Sequence, residues 1–158
     1  MPEPLPRWFA HRGGGLLAPE NTLAGIRLAA RLGFKAVEFD VMLSGDGTPV
    51  LIHDETVERT TNGFGRVCDT SDAHLFTLDA GWGERVPRFA EAAALCRQLG
   101  LLANIEIKPA AGFEQQTAEV VACLAAELWH GAAVPPLISS FSLGALAVAR
   151  DVAPALRR

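Results

Sequence analysis

Apolar runs alternate with amphipathic stretches along the chain, and the two patterns predict strands and helices in turn. The apolar runs predict about five strands, at 8–10, in a β-hairpin over 36–53, at 101–107 and at 137–141. Apolar residues at helical spacing predict helices at 21–32, 87–99, 113–129 and 143–152. A long polar segment at about 55–85 is predicted to be an insertion. This order favours an α/β fold whose functional site lies at the carboxyl ends of the strands.

The hairpin over 36–53 carries ionisable side chains within an apolar, β-branched run. Glu38 and Asp40 are two residues apart, so in a strand both side chains leave the same face. We expect a two-residue Asp-Gly turn at 46–47, because this pair tolerates the positive φ angles of a type I′ turn. Counting outward from that turn places Asp40 directly opposite His53.

Further charged residues fall at or just past other predicted strand ends. His11 and Arg12 follow the first strand, and Glu106 and Lys108 lie at the end of a later one. Converging carboxylates repel each other unless a cation lies between them, and their oxygens suit Mg²⁺ or Ca²⁺. Two histidines can share acid and base roles near neutral pH, and the two cationic side chains can meet a phosphate. The set suits cleavage of a phosphodiester.

Each of these residues also has a simpler explanation when it is taken alone. Glu106 and Lys108 could be an ordinary ion pair at a strand end, and His53 and Asp54 could belong to a turn. Asn62 could line a pocket, but Asn-Gly is first a turn signal. The joint placement of the charged residues at predicted strand ends favours a functional site.

Composition narrows the classes of partner. A net charge of -4, with no stripe of lysine and arginine, argues against nucleic-acid binding by bulk electrostatics. The sequence contains no apolar run long enough to span a membrane and does not begin with a signal-peptide pattern, so we expect a cytoplasmic protein without a transmembrane segment. The three cysteines match neither a zinc site nor a disulfide framework, and we expect reduced thiols.

Several short motifs resemble those of the glycerophosphodiester phosphodiesterase family, within the phospholipase-C-like phosphodiesterase barrels. The motifs are H-R-G at 11–13, P-E-N-T at 19–22, E-F-D at 38–40, H-D at 53–54, R-T-T-N-G at 59–63, L-D-A-G at 78–81 and E-I-K-P at 106–109.

The resemblance implies a role for each matching position. Glu38, Asp40 and Glu106 would bind a divalent cation, Mg²⁺ or Ca²⁺. His11 and His53 would be the acid-base pair. Arg12 and Lys108 would bind the phosphate. The implied reaction is metal-dependent hydrolysis of a small-molecule glycerophosphodiester to glycerol 3-phosphate and an alcohol.

The resemblance also implies a TIM-type (β/α) barrel, which takes about 200 to 250 residues, whereas this sequence has 158 residues and about five strands. We therefore expect a disordered lead-in at 1–6 and a single, incomplete phosphodiesterase domain at 7–158. Open strand edges would make self-association a hazard.

Two other classes of function remain open at this point. A truncated relic or binding module would keep the site residues without turnover. A related phosphodiesterase of the same barrel group would act on lysophospholipid or phosphoinositide and would need a more apolar pocket.

Overall fold

The computed structural model describes residues 5–158, so most of the lead-in predicted for 1–6 lies outside the described residues. The helices are α1 (Leu23–Arg31), α2 (Asp72–Leu75), α3 (Phe89–Leu99), α4 (Glu114–Leu128) and α5 (Leu143–Val152). The strands are β1 (Ala36–Leu43), β2 (Pro49–Leu51), β3 (Leu102–Ile107) and β4 (Leu137–Ser139). None of the helices in this part of the chain has the length and hydropathy that a bilayer-spanning segment requires.

The strands form one sheet in the order β2-β1-β3-β4, in which β1, β3 and β4 are parallel and β2 is antiparallel to β1. The first predicted strand, 8–10, is reduced to a single parallel bridge between Ala10 and Val37. The apolar run at 8–10 predicts a buried strand, but Trp8 is 67% exposed. Helices connect the successive parallel strands, as a (β/α) architecture requires.

Alternation along the strands separates an apolar face from a polar one. Val37, Phe39 and Val41 of β1 belong to the main core together with Ile105 of β3. Phe89 of α3 packs against Phe39 at 6.2 Å between ring centroids, which joins the helix layer to the sheet. The intervening residues of each strand face the other way and carry the polar groups of the site.

Local signals define the helix ends. The Thr22 side chain accepts a hydrogen bond from the backbone N–H of Gly25 and so caps α1. Gly100 ends α3 with a left-handed φ of 65°. The helical spacing at 87–99 predicts that Leu99 faces inward, but this side chain, in the last turn of α3, is 39% exposed.

The hairpin prediction was wrong by one residue. Met42 pairs with Val50, and the Ile52 N–H donates to the Asp40 carbonyl, so Asp40 lies opposite Ile52 rather than His53. The loop holds three residues, 45–47, because Ser44 closes it by exchanging backbone hydrogen bonds with Gly47 and Thr48. This is the three-residue hairpin that ends in a left-handed glycine, here Gly47 with a φ of 81°.

A contact with the insertion accounts for the extra loop residue. The Gly45 N–H donates to the Thr70 carbonyl at 2.8 Å, and a β-carbon on Gly45 would lie 3.0 Å from that oxygen. The insertion itself, predicted at about 55–85, is ordered around a second core. That core includes Val57, Val67, Leu75, Leu78 and Val86.

Candidate functional site

Three carboxylates from two parallel strands meet at the carboxyl end of the sheet. Asp40 of β1 lies in register with Glu106 of β3, and Glu38 lies one step earlier on the same face. One oxygen from each of the three lies within 4.8 Å of the other two. Glu38 and Asp40 are 8% and 2% exposed. The predicted convergence of Glu38, Asp40 and Glu106 is therefore present in the fold.

The electrostatics of Glu38 suit a bound cation. The pKa of its carboxyl is raised to about 7, mainly by burial and also by the neighbouring charges of Asp40 and Glu106, although a hydrogen bond from the Arg12 backbone N–H lowers it. Its Oε1 atom is buried and has no hydrogen-bond partner among the described residues. A buried acceptor without a partner is unfavourable in a folded protein. Three clustered carboxylates with a free oxygen fit a hard divalent ion.

Asn21 holds Asp40 in place from the loop before α1. Its side-chain Nδ2 donates to Asp40 Oδ2 at 2.9 Å, and its Oδ1 accepts from the Asp40 backbone N–H at 3.2 Å. This clamp needs the left-handed backbone of Asn21, with a φ of 55°. The sequence predicts Asn21 or Thr22 as the cap of this helix; Thr22 takes that role, and the contact of Asn21 with Asp40 is not indicated by the motif at 19–22 alone.

The two predicted phosphate-binding cations flank the carboxylates. Lys108 Nζ lies 3.9 Å from both Asp40 Oδ1 and Glu106 Oε1. Arg12 Nε lies 3.6 Å from Asp40 Oδ2, and its Nη1 donates to Glu20 Oε1 at 3.1 Å. Both side chains are partly exposed, so an anion can reach them beside the carboxylate cluster.

The two histidines approach the cluster by different routes. His11 is 70% exposed, and its Nε2 lies 3.8 Å from Glu38 Oε2. His53 Nε2 contacts Lys108 Nζ, and its Nδ1 lies 2.6 Å from Asp54 Oδ1. Thus His53 reaches the site although the predicted pairing with Asp40 does not form.

Sequence reasoning missed a network of three residues that supports this site. Arg59 hydrogen-bonds both Asp54 and Glu20, and these bonds lower the pKa of each carboxyl. All three lie in motifs already quoted for the resemblance, but nothing in their spacing indicates that they meet. Asn62, by contrast, joins two parts of the insertion: its Oδ1 accepts from the Asp79 backbone N–H, and its own backbone N–H donates to the Asp79 carbonyl.

A mostly parallel sheet backed by helices, with an acidic cluster at its carboxyl edge, defines an α/β protein with a candidate cation site. The model of the glycerophosphoryl diester phosphodiesterase family matches residues 11–158, and the chain belongs to that family. The predicted TIM-type fold is confirmed, as a partial barrel.

Two curated relatives illustrate the similarity. A glycerophosphodiester phosphodiesterase from Caldanaerobacter subterraneus subsp. tengcongensis is 46% identical over 107 residues, which cover 63% of this chain and 44% of the relative. Glycerophosphodiester phosphodiesterase 1 from Homo sapiens is 42% identical over 109 residues, covering 63% of this chain and 33% of the relative. The chain thus matches less than half the length of either relative.

Solved structures extend the likeness to the whole fold. An Oleispira antarctica phosphodiesterase, solved in complex with the product sn-glycerol-3-phosphate, has a TM-score of 0.89 and 41% identity, covering 96% of this chain and 64% of that one. A glycerophosphodiester phosphodiesterase from Agrobacterium tumefaciens has a TM-score of 0.81 and 36% identity, covering 94% and 63%.

Proposed function

We propose that this chain carries the reactive groups of a glycerophosphodiester phosphodiesterase, which hydrolyses a glycerophosphodiester to sn-glycerol 3-phosphate and an alcohol. The observation that supports it is the convergence of the carboxylate cluster with two cations and two imidazoles at one sheet edge. The family relationship supports a glycerophosphodiester as the substrate, since the similar Oleispira antarctica phosphodiesterase was solved with the product sn-glycerol-3-phosphate.

In this proposal Glu38, Asp40 and Glu106 hold a divalent cation, Mg²⁺ or Ca²⁺, which when bound withdraws charge from the phosphoryl oxygens. Arg12 and Lys108 lie beside these carboxylates and bind the phosphate through charge-assisted hydrogen bonds. Together with the bound cation, these two side chains would supply positive charge for the phosphate on a chain that is acidic overall.

His11 and His53 share the proton transfers. One imidazole takes the proton of the attacking hydroxyl, from water or from the neighbouring glycerol hydroxyl, as the new P–O bond forms. The other, as imidazolium, gives a proton to the departing alkoxide as the original P–O bond breaks. His53 is equipped to accept a proton at Nε2, because ionised Asp54 takes the hydrogen bond from Nδ1–H.

The test is release of glycerol 3-phosphate from glycerophosphocholine, with added Mg²⁺ or Ca²⁺ and with chelator. We expect turnover that chelator abolishes, and a fall in kcat/KM on the order of 10²- to 10⁴-fold in His53→Asn. The matched control is His74→Asn, since His74 is exposed on α2 and is not among the residues of the site. Substrate binding without turnover, or turnover unaffected by either chelator or His53→Asn, would contradict the proposal.

The same assay separates the other candidate substrates. A Mus musculus protein named as a glycerophosphoinositol inositolphosphodiesterase is 44% identical over 81 residues, so glycerophosphoinositol is a second substrate to compare. Lysophospholipid is the third. The cytoplasmic location, the lack of nucleic-acid binding, the single domain at 7–158 and self-association stay predictions.

A further inference from the structure

The guanidinium group of Arg59 joins two carboxylates that belong to different parts of the fold. Its Nη1 and Nη2 donate to the two oxygens of Glu20 at 2.9 and 2.7 Å. Its Nε and Nη2 donate to the two oxygens of Asp54 at 2.5 and 3.1 Å. Arg59 thus links the insertion both to the loop before α1 and to the end of the hairpin.

Each of these carboxylates supports a different residue of the site. Asp54 Oδ1 contacts His53 Nδ1 at 2.6 Å, and Glu20 Oε1 accepts from Arg12 Nη1 at 3.1 Å. We propose that Arg59 is a positioning residue, which fixes the tautomer and ring orientation of His53 through Asp54 and the direction of Arg12 through Glu20. The proposal deepens the proposed function, on which its kinetic consequence rests.

The tautomer follows from the hydrogen-bond chain. Arg59 donates to both oxygens of Asp54 and keeps that carboxylate ionised, so it can only accept from the His53 ring. Neutral His53 must then carry its proton on Nδ1, which leaves Nε2 as an acceptor facing Lys108. If Asp54 rotated away, only the contact of Lys108 with Nε2 would still favour this tautomer, and the ring would lose the hydrogen bond at Nδ1 that holds its plane.

The geometry requires arginine rather than a positive charge alone. A guanidinium presents several N–H groups in a rigid plane, whereas an ammonium is a point charge on a flexible stem. Two bidentate contacts to carboxylates on separate segments use that plane. Arg66 in the same insertion makes only looser ion pairs, at 3.6 Å to Glu55 and 3.8 Å to Asp69. The two arginine side chains are similarly exposed, 48% and 46%, so Arg66 is a matched control.

The test reads the tautomer directly, without turnover. In ¹H–¹⁵N correlation spectra of the imidazole rings at a pH where His53 is neutral, we expect the Nδ1–H form of His53 in the unsubstituted chain. Asp54→Asn should move it toward the Nε2–H form, because an amide can donate to Nδ1. Arg59→Gln should give a mixture of the two forms, whereas Arg66→Gln should leave the His53 pattern unchanged.

Activity and a conservative variant complete the experiment. Arg59→Gln should lower kcat/KM by about 10- to 100-fold, as loss of groups that orient others does. Arg59→Lys should restore part of that loss, with the circular dichroism spectrum unchanged. If Arg59→Gln does not fold, the spectra of Arg59→Lys decide, and we expect a smaller shift of the same sign.

Two outcomes overturn the proposal. One is a His53 pattern that responds to Asp54→Asn but not to either Arg59 variant. The other is an equal response to Arg59→Gln and Arg66→Gln, which would mean a general loosening of the insertion. An absence of turnover in the unsubstituted chain with the expected tautomer pattern would instead refute the proposed function and leave the positioning role of Arg59 intact.

Discussion

Removing the charge of Glu38 should stabilise the cation-free protein. In the fold its carboxyl has a pKa of about 7, against 4.5 as its ordinary value. At about 1.4 kcal/mol per pKa unit, this difference corresponds to about 3 kcal/mol of unfavourable free energy when Glu38 is ionised. Glu38→Gln keeps the shape of the side chain and removes that penalty.

The sign of the pH dependence follows from proton binding. Between pH 4.5 and about 7 the folded state keeps a proton on Glu38 that the unfolded chain has released. The free energy of unfolding must therefore fall as pH rises through this window. We expect Glu38→Gln to be more stable than the unsubstituted chain by under about 1 kcal/mol near pH 5 and by about 3 kcal/mol near pH 8.

Urea unfolding in chelator, at several pH values, measures this difference. Glu119→Gln is the control, because Glu119 is exposed on α4 and makes no ion pair in the described structure. Adding Mg²⁺ or Ca²⁺ at about 100 times its Kd should then stabilise the unsubstituted chain by about 3 kcal/mol, and Glu38→Gln by less. The reasoning fails if the stability difference between the Glu38 variant and the unsubstituted chain does not change with pH.

Three further changes test other parts of the structure. Asn21→Ala removes both hydrogen bonds to Asp40 and should lower the free energy of unfolding by about 1 to 3 kcal/mol in urea titrations; a loss no greater than in Thr22→Ala would contradict the clamp. Thr22→Ala removes the cap of α1 and should lower the free energy of unfolding by about 1 kcal/mol; an unchanged free energy of unfolding would contradict the cap. Leu16 and Leu17, which are 105% and 64% exposed, should promote self-association, so replacing both with serine should lower the sedimentation coefficient at high concentration; an unchanged coefficient would argue against that surface.

Strand alternation was enough to predict where the carboxylates point. Glu38 and Asp40 share a face because they are two residues apart, and Glu106 joins them because β1 and β3 run parallel in the sheet. The helices follow as directly from local signals: α5 covers the predicted range 143–152. These predictions depend on short stretches of chain and on the common direction of parallel strands.

The Arg59 network was not predictable, since it depends on contacts between segments far apart in the chain. Arg59 and Glu20 are 39 positions apart, and neither interrupts an apolar strand. Their meeting requires the path of the insertion, which its second core determines and which no periodicity describes. Hydrophobic periodicity does not predict polar contacts between loops, even when both residues lie in motifs of the family.

His53 lies in the site even though the predicted register of the hairpin was wrong by one residue. A shift of one residue moved the position opposite Asp40 from His53 to Ile52, which is buried. His53 lies beyond the end of β2, so its side chain is not bound to the alternation of that strand. Its ring is instead oriented from outside the sheet, by Asp54 on one nitrogen and Lys108 on the other. The carboxylates depend on the parallel pairing of β1 with β3 and His53 on side-chain hydrogen bonds, so neither depends on which residue of the hairpin lies opposite Asp40.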